Sequence, residues 1–277
     1  MSGPRRPDHP VAAAFARRAS RAEVLAATCA SAAEPLRFAA GLYGAQAGLA
    51  GTLAAGHGAR PLSGRLGEDV ETVLPAATEL VRFAGDHGPA GLAREARAWA
   101  GDAASILGAR LAESWSGEPM ATAGYLSRAV LRPYVEVLAF LGLPPDRPHA
   151  SGTCPFCGGS PWIAARREGP EGEGASRHLG CALCGGEWRL SRVLCPSCGE
   201  QDPARLPSFA TESCPAARIE ACETCRSYVK SIDLTLDGRA IPEVDDLASV
   251  ALDLWAAREG FERIEPGLAG PVTAGRD

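Results

Sequence analysis

Four Cys-x-x-Cys motifs in the second half of the 277-residue chain constrain its fold more than any other feature. They begin at Cys154, Cys181, Cys195 and Cys222, and the first two recur 41 positions later as the last two (154 to 195, 181 to 222). Equal spacing of this kind indicates an internal repeat. Two motifs separated by a hairpin-length segment are typical of zinc ribbons and rubredoxins. The sequence therefore predicts two tandem tetracysteine modules.

Each motif places two thiols where one metal ion can reach both. Two such turns supply four thiolates in a tetrahedron, which suits zinc or a single iron. Gly158, Gly185 and Gly199 follow the second cysteine of their motifs, and glycine there permits a left-handed backbone. Arg226 takes this position in the fourth motif, so we expect either local strain or a cation near a thiolate.

Other uses of these cysteines fit the pattern less well. Disulfides are rare in reducing compartments, and a thioredoxin-like redox site needs one such motif on a βαβ frame. Two paired motifs per module suit a mononuclear site better than an iron–sulfur cluster. A module of about 45 residues buries too little core to fold alone, so the metal could serve only to hold it folded. A metal that takes part in the function is equally compatible with the pattern.

The remaining cysteines, one histidine and three aromatic residues are not expected to bind metal. Cys29, in an alanine-rich helix, is expected to be a buried thiol, and Cys214 has no partner at ligand spacing. His178 precedes Cys181 by three residues and is expected at the surface. Three aromatic residues after the motifs are expected to pack over the metal sites: Trp162, Trp188 and Tyr228.

The first half of the chain reads as helices from residue 11 to about residue 141. Pro35 is expected at the first position of a helix. Pro133 predicts a kink, and prolines in residues 142–153 indicate a linker. The predicted apolar faces have helical spacing. They comprise Leu36, Ala39, Ala40, Tyr43 and Ala47; then Leu92, Ala96, Trp99, Ala103, Ile106, Leu107 and Leu111; then Tyr125, Ala129, Leu138 and Leu141.

Beyond the cysteine motifs, alternation at Ile232, Leu234 and Leu236 predicts a strand. A final helix is predicted to begin at a cap on Asp245 or Asp246 and to end at Gly260. Its predicted apolar face comprises Leu247, Val250, Ala251, Leu254 and Trp255. The tail from Arg263 to Asp277 reads as a loose acidic end.

Charge and missing motifs narrow the function. Residues 150–239 hold 10 basic and 11 acidic side chains, and two divalent ions on eight thiolates would add four negative charges. This balance argues against nucleic-acid binding, which needs a basic surface. The sequence contains no P-loop, GxSxG or HExxH motif and no apolar run long enough for a signal peptide or a membrane helix. We therefore expect a cytoplasmic protein that is not an enzyme and does not enter the membrane.

The predicted fold class is α+β and multidomain. An all-α domain with its linker occupies residues 1–149, and two rubredoxin-like or zinc-ribbon modules occupy residues 150–192 and 193–240. The final helix and tail occupy residues 241–277.

Longer segments of the sequence resemble a known family. The motif regions CPFCGGSPW (154–162), CALCGGEWRLSRVLCPSCGE (181–200) and ACETCRSYVKSIDL (221–234) resemble those of the formate dehydrogenase accessory protein FdhE. The final segment DDLASVALDLWAAREGFERIEPGL (245–268) is similar as well. The resemblance extends in the same order over most of the chain.

The resemblance implies a bacterial, cytoplasmic accessory protein that contacts the catalytic subunit of formate dehydrogenase during maturation. It also implies two mononuclear metal ions, with iron favoured and zinc as the alternative. Electron transfer or oxygen sensing by iron and a zinc-ribbon adaptor for the transcription machinery stay open as other functions. The ligands carried over are Cys154, Cys157, Cys181 and Cys184 for one ion and Cys195, Cys198, Cys222 and Cys225 for the other. The 41-residue period favours this pairing over a crossed one.

Overall fold

A computed structural model describes residues 9–116, 124–169 and 174–270 of the chain. Helices fill its first half, and strands with two further helices fill its second half. Within these ranges, no helix combines the length and the apolar character that crossing a bilayer would need.

The chain divides into two compact units. The described parts of residues 1–24 and 37–148 form the helical unit, and residues 25–36 with the described parts of 149–277 form the sheet unit. This arrangement confirms the predicted fold class, a helical region followed by a mixed sheet that carries two tetracysteine groups. The four-part division by residue number stays a prediction.

The helices of the first half follow the predicted apolar patterns in outline. Helix α2 begins at Ala33, so Pro35 is its third residue rather than its first. Leu36 and Tyr43 are buried as predicted. A short 3-10 helix precedes it at Ala30–Ala32. The α-helices are α1 (Pro10–Thr28), α2 (Ala33–Gly56), α3 (Leu66–Ala76), α4 (Thr78–His87), α5 (Ala90–Gly101), α6 (Ala104–Trp115) and α7 (Tyr125–Leu141).

The second predicted apolar face spans two helices rather than one. Asp102 and Ala103 have extended backbones, with ψ of 148° and 150°, and they separate α5 from α6. Trp99 and Leu111 are buried, whereas Ile106 is 47% exposed. Because of this break, the residues of α6 do not continue the apolar face of α5.

Helix α7 is the core of the helical unit, because every side chain from Leu126 to Leu138 is buried. The helix continues through Pro133 without interruption. It buries a charge as well, since the Glu136 carboxylate accepts from Arg18 Nη1 at 2.9 Å and from Arg132 Nε at 2.8 Å. Pairing of this kind offsets the large cost of burying a charged group.

One mixed β-sheet joins the two tetracysteine modules. Its strands lie in the order β3-β2-β1-β6-β5-β4, and β7 pairs with β6. Each module contributes an antiparallel group, and the parallel pairing of β1 with β6 joins the groups. The strands are β1 (Pro161–Glu168), β2 (Ala175–Cys181), β3 (Glu187–Arg189), β4 (Ser208–Ala210), β5 (Ala217–Ala221), β6 (Ser227–Asp233) and β7 (Glu262–Arg263).

The predicted strand at residues 232–236 is wrong beyond its first residues. Strand β6 ends at Asp233, whose Oδ1 atom accepts from Thr235 N at 3.1 Å and from Thr235 Oγ1 at 2.6 Å. An aspartate that bonds the backbone two residues on favours a turn. Leu236 is consequently 63% exposed.

The predicted final helix is two helices, α8 (Pro242–Ala248) and α9 (Val250–Arg258), separated at Ser249. Neither predicted cap is the N-cap residue, which is Ile241. Asp245 accepts from Ile241 N at 2.8 Å from within the first turn, and Asp246 is buried. The buried face of α9 comprises Leu252, Asp253 and Ala256, so Ala251 and Leu254 of the predicted face are exposed.

Lys230, the only lysine of the chain, is fully buried at the centre of an ion network. Its Nζ atom pairs with Asp246 Oδ1 at 3.0 Å and with Asp253 Oδ2, and it donates to the carbonyl of Ser249 at 3.2 Å. Arg263 pairs with the same two carboxylates at 2.9 Å and 3.2 Å. Two cations thus neutralise two anions, as buried charges require.

The network connects both modules to α8 and α9. Lys230 lies on β6, and Arg263 donates to the carbonyl of Trp162 on β1 at 2.8 Å. Burial alone would raise the pKa of Asp246, but the charges of Arg263 and Lys230 lower it below its ordinary value. Because its folded pKa is depressed, Asp246 contributes stability above the unfolded pKa, and that contribution is lost as pH falls.

The predicted loose tail is wrong for residues 263–270. Arg263 pairs as part of β7 with Tyr228 of β6 and enters the ion network, and Glu265 is only 4% exposed. A sequence scan assigns such charged residues to solvent because it does not detect their partners. The remainder of that prediction, residues 271–277, lies outside the described residues.

Replacing Lys230 by methionine tests the network. The carboxylates of Asp246 and Asp253 would then share Arg263 alone, and removing one partner of a buried ion pair costs about 3–5 kcal/mol. We expect the free energy of unfolding, measured by urea denaturation of the metal-loaded protein, to fall by that amount. The control is Arg258→Met on the exposed end of α9, which should unfold like the unaltered chain. Equal losses in both variants would contradict the assignment.

Candidate metal centres

Eight cysteine sulfurs converge in two groups in the sheet unit. Within each group the four Sγ atoms all lie within 4.8 Å of one another. The grouping is the one predicted from the 41-residue period and not the crossed one. The first group comprises Cys154, Cys157, Cys181 and Cys184, and the second comprises Cys195, Cys198, Cys222 and Cys225.

The spacing of the sulfurs fits one metal ion per group. Four thiolates about 2.3 Å from a central ion form a tetrahedron whose edges are roughly 3.8 Å. A disulfide would need sulfurs about 2.05 Å apart, and all eight cysteines are free thiols. The Sγ–Sγ distances between facing motifs are 3.6 Å (Cys154–Cys184), 3.4 Å (Cys157–Cys181), 3.8 Å (Cys195–Cys225) and 3.7 Å (Cys198–Cys222).

A repeated backbone turn aims the paired sulfurs. In the first motif Cys154 N donates to Gly159 O at 2.9 Å, and Gly158 N donates to Cys154 O at 2.9 Å. The second and third motifs form equivalent bonds. The predicted left-handed glycines are confirmed, with φ of 67°, 65° and 79° at Gly158, Gly185 and Gly199.

A second glycine in two of the motifs was not predicted to matter. A Cβ atom at Gly159 would lie 2.7 Å from Cys181 Sγ, and one at Gly186 would lie 3.2 Å from Cys184 Sγ. Gly186 N also donates to Cys184 Sγ at 3.4 Å, and Leu183 N donates to Cys181 Sγ at 3.3 Å. Such donors stabilise thiolates. The two consecutive glycines after Cys157 and after Cys184 were the sequence feature that could have predicted this close approach.

Arg226 adopts the left-handed conformation that glycine adopts in the other motifs, with φ of 58°. The expected strain is therefore present. The side chain, however, contacts no thiolate among the described residues. Its guanidinium donates to the carbonyl of Glu259 and lies 3.8 Å from the ring centre of Phe261, and its own carbonyl accepts from Glu262 N at 2.8 Å. The fourth motif thus attaches to the segment that follows α9.

The two groups differ in exposure. All four cysteines of the first group are buried, and Cys157 and Cys181 are fully inaccessible. In the second group Cys195 and Cys222 are buried, whereas Cys198 is exposed and Cys225 is half-buried. The first group is closed, and the second is open on one side.

The electrostatics of the thiols favour a cation in each group. Burial raises the pKa of the Cys181 thiol well above its ordinary value, and hydrogen bonding to Cys154 raises the pKa of Cys157 and Cys184. Burial raises the pKa of Cys195 to about 12. Four close thiols therefore cannot all ionise by themselves, and a divalent cation would supply the missing charge. As metal ligands, the eight cysteines remain a prediction that this geometry fits.

The remaining predicted residues lie elsewhere. Cys29 is half-buried between α1 and the 3-10 helix, rather than buried within a helix, and its Sγ atom lies 3.8 Å from Ala248 O. Cys214 is a half-buried thiol packed against the core under α9. His178 bonds to Ser176 Oγ at 2.9 Å and belongs to neither sulfur group.

The three aromatic residues contact the sheet and the helices packed on it. Trp162 packs with Ile163 and Ala182, and Trp188 packs on a second cluster that contains Leu179. Tyr228 reaches α9 with its side chain. Its hydroxyl donates to Asp253 Oδ1 at 2.9 Å, so it belongs to the ion network under α9.

The difference in exposure predicts two rates of metal release. A chelator reaches an open site more readily than a closed one. We expect excess chelator to remove one ion per chain quickly and the other at least tenfold more slowly, as followed by a colorimetric dye. Cys198→Ser should abolish the fast phase and leave the slow one. Release of both ions in one phase would contradict the distinction between the groups.

Two family models match the part of the chain that holds the cysteine motifs. The family model described as the FdhE central domain matches residues 153–192, and the model for the FdhE C-terminal domain matches residues 193–268. Together they span both sulfur groups, α8 and α9.

Curated relatives match about half of the chain. A protein named FdhE homolog from Aquifex aeolicus is 38% identical over 117 residues, covering 42% of this chain and 41% of the relative. An FdhE homolog from Pseudomonas putida is 35% identical over 158 residues, covering 54% of this chain and 48% of the relative. The match thus spans less than half the length of each of these relatives.

A solved structure extends the similarity to the helical region. The crystal structure of the FdhE protein from Pseudomonas aeruginosa superposes with a TM-score of 0.66 at 26% identity, covering 94% of this chain and 96% of that one. The family models, the curated relatives and the solved structure therefore agree that the chain is similar to FdhE proteins.

Proposed function

We propose that the chain is an accessory protein for the maturation of a molybdenum- or tungsten-dependent formate dehydrogenase and that it binds the catalytic subunit of this enzyme in the cytoplasm. The observation that carries the proposal is the similarity to FdhE proteins together with two complete tetracysteine groups. The role is docking rather than catalysis. The helical domain, residues 1–149, and the two modules, residues 150–192 and 193–240, would provide the docking surfaces.

The eight cysteines would hold two mononuclear ions, with iron favoured over zinc by the family resemblance. The first group, closed and fully buried, suits a structural ion that compensates for the small core of its module. The donor set is compatible with both metals, since each is bound by four thiolates in a tetrahedron.

Affinity capture tests the docking role. The tagged chain is expressed in cells that make a formate dehydrogenase and is purified without oxygen, and bound proteins are identified by mass spectrometry. We expect the catalytic subunit to be recovered. Cells that lack that subunit provide the control for adventitious binding. Recovery of no catalytic subunit, with the tagged chain folded and metal-loaded, would contradict the proposal.

Redox work is a second candidate, and the open second group favours it. Cys198 is exposed and Cys225 is half-buried, so an ion held there would lie close to the surface. Iron in such a site supplies one-electron chemistry, whereas zinc has none. If redox work is the function, the zinc-loaded chain should bind its partner but fail to support maturation. Full activity of the zinc form would exclude this candidate.

A further inference from the structure

A cleft of about 300 Å³ opens in the sheet unit beside the second sulfur group. Its floor is the sheet face opposite α8 and α9. Arg166 of β1, Arg177 of β2 and Arg218 of β5 project from that face, as their pairing register and the two-residue period of strands require. Cys195 and Cys222 of the second sulfur group belong to its lining.

Arginines are the most numerous charged side chains of the cleft, in a protein of net charge −5. Four arginines line it, the fourth being Arg192, against one lining acid, Glu220. Asp233 neutralises one further charge from the floor. These side chains leave two positive charges in excess, and the second sulfur group with a divalent ion would carry two negative charges beside them. Binding of an anionic ligand therefore depends on the guanidinium groups themselves and not on the net charge of the cleft.

The arginines already hold carboxylates. Asp233 Oδ2 lies 3.1 Å from Arg166 Nη1 and 3.1 Å from Arg218 Nη2, and Arg177 Nε lies 2.8 Å from Glu220 Oε2. A guanidinium has five N–H donors, so each of these contacts leaves donors over. The side chains of Arg166 and Arg218 are 26% and 25% exposed and are accessible to a ligand.

Arg192 is the most accessible of the four arginines. It is exposed at the cleft wall, and within the described ranges it forms no ion pair. A planar guanidinium without a partner matches the two oxygens of a carboxylate.

The walls of the cleft are apolar. Leu194, Leu206, Pro207 and Ile264 line it alongside the arginines. Phosphate sites commonly use a helix N-terminus, and no helix within the described residues begins among those that line this cleft. Apolar walls with arginines on one face of the sheet suit an extended peptide that carries both apolar and acidic side chains.

We propose that this cleft binds an acidic peptide segment of a protein partner, with carboxylates on Arg166, Arg192 and Arg218. The inference rests on the proposed docking function only for the source of the peptide. The binding test uses no formate dehydrogenase, so failure of one proposal is distinguishable from failure of the other.

The probe is a fluorescein-labelled octapeptide of alternating glutamate and leucine, titrated with zinc-loaded protein and followed by anisotropy. Its matched control carries glutamine in place of glutamate. We expect saturable binding of the acidic peptide that weakens as salt is raised. The glutamine peptide should bind at least tenfold more weakly.

Variants locate the binding. Arg192→Gln should weaken binding about tenfold. Glu220→Gln should tighten it severalfold, because it removes the one acidic side chain that lines the cleft. Arg258→Gln removes the same charge from exposed α9 and should leave binding unchanged. Arg192 is exposed without an ion partner in the described structure, so its replacement does not threaten the fold.

Three outcomes would overturn the proposal. The first is equal loss of binding in Arg192→Gln and Arg258→Gln, which would indicate net charge alone. The second is absence of peptide binding to the folded, zinc-loaded chain. The third is displacement of the peptide by pyrophosphate or a short RNA at concentrations well below that of the peptide, which would identify a phosphate site.

Discussion

The convergence of four cysteine sulfurs at each of two points is the constraint on which the sheet unit depends. In each group one motif lies at the turn between two strands, Cys181 and Cys184 between β2 and β3 and Cys222 and Cys225 between β5 and β6. An ion at each point would tie that turn to the other motif of the group. Modules of this size bury little apolar surface by themselves. The fold adds two further ties, the parallel pairing of β1 with β6 and the buried ion network around Lys230.

These ties explain why the two modules are better regarded as one unit. Arg263 reaches the carbonyl of Trp162 in the first module and shares two carboxylates with Lys230 of the second. Arg226 attaches the last motif to the segment after α9 through Glu259 and Phe261. The conformational free energy that the left-handed backbone of Arg226 costs is thus offset by side-chain contacts that glycine could not make.

Local features were predictable from sequence, and long-range ones were not. The repeat period identified the sulfur groups, and the glycines after the motifs were confirmed because a tight turn is a local requirement. Lys230, Asp253 and Arg263 were missed because charged residues are ordinarily exposed, and their pairing joins positions far apart in the chain. An even charge count likewise conceals arginines that the sheet register gathers on one face.

The exposure of the two groups suggests separate duties within one unit. The closed first group suits a structural ion, whereas the open second group borders the arginine-lined cleft through Cys195 and Cys222. A partner segment in that cleft would lie beside the second ion. Docking and any metal chemistry would then take place on the same side of the sheet unit.

The central claim is that the eight cysteines hold two metal ions. Metal content per chain, measured with a visible spectrum on protein purified without oxygen, tests it most directly. Two ions per chain are predicted, and two irons with a thiolate-to-iron charge-transfer band would also support redox work. A folded chain without metal, its eight thiols free or linked as disulfides, would contradict the account.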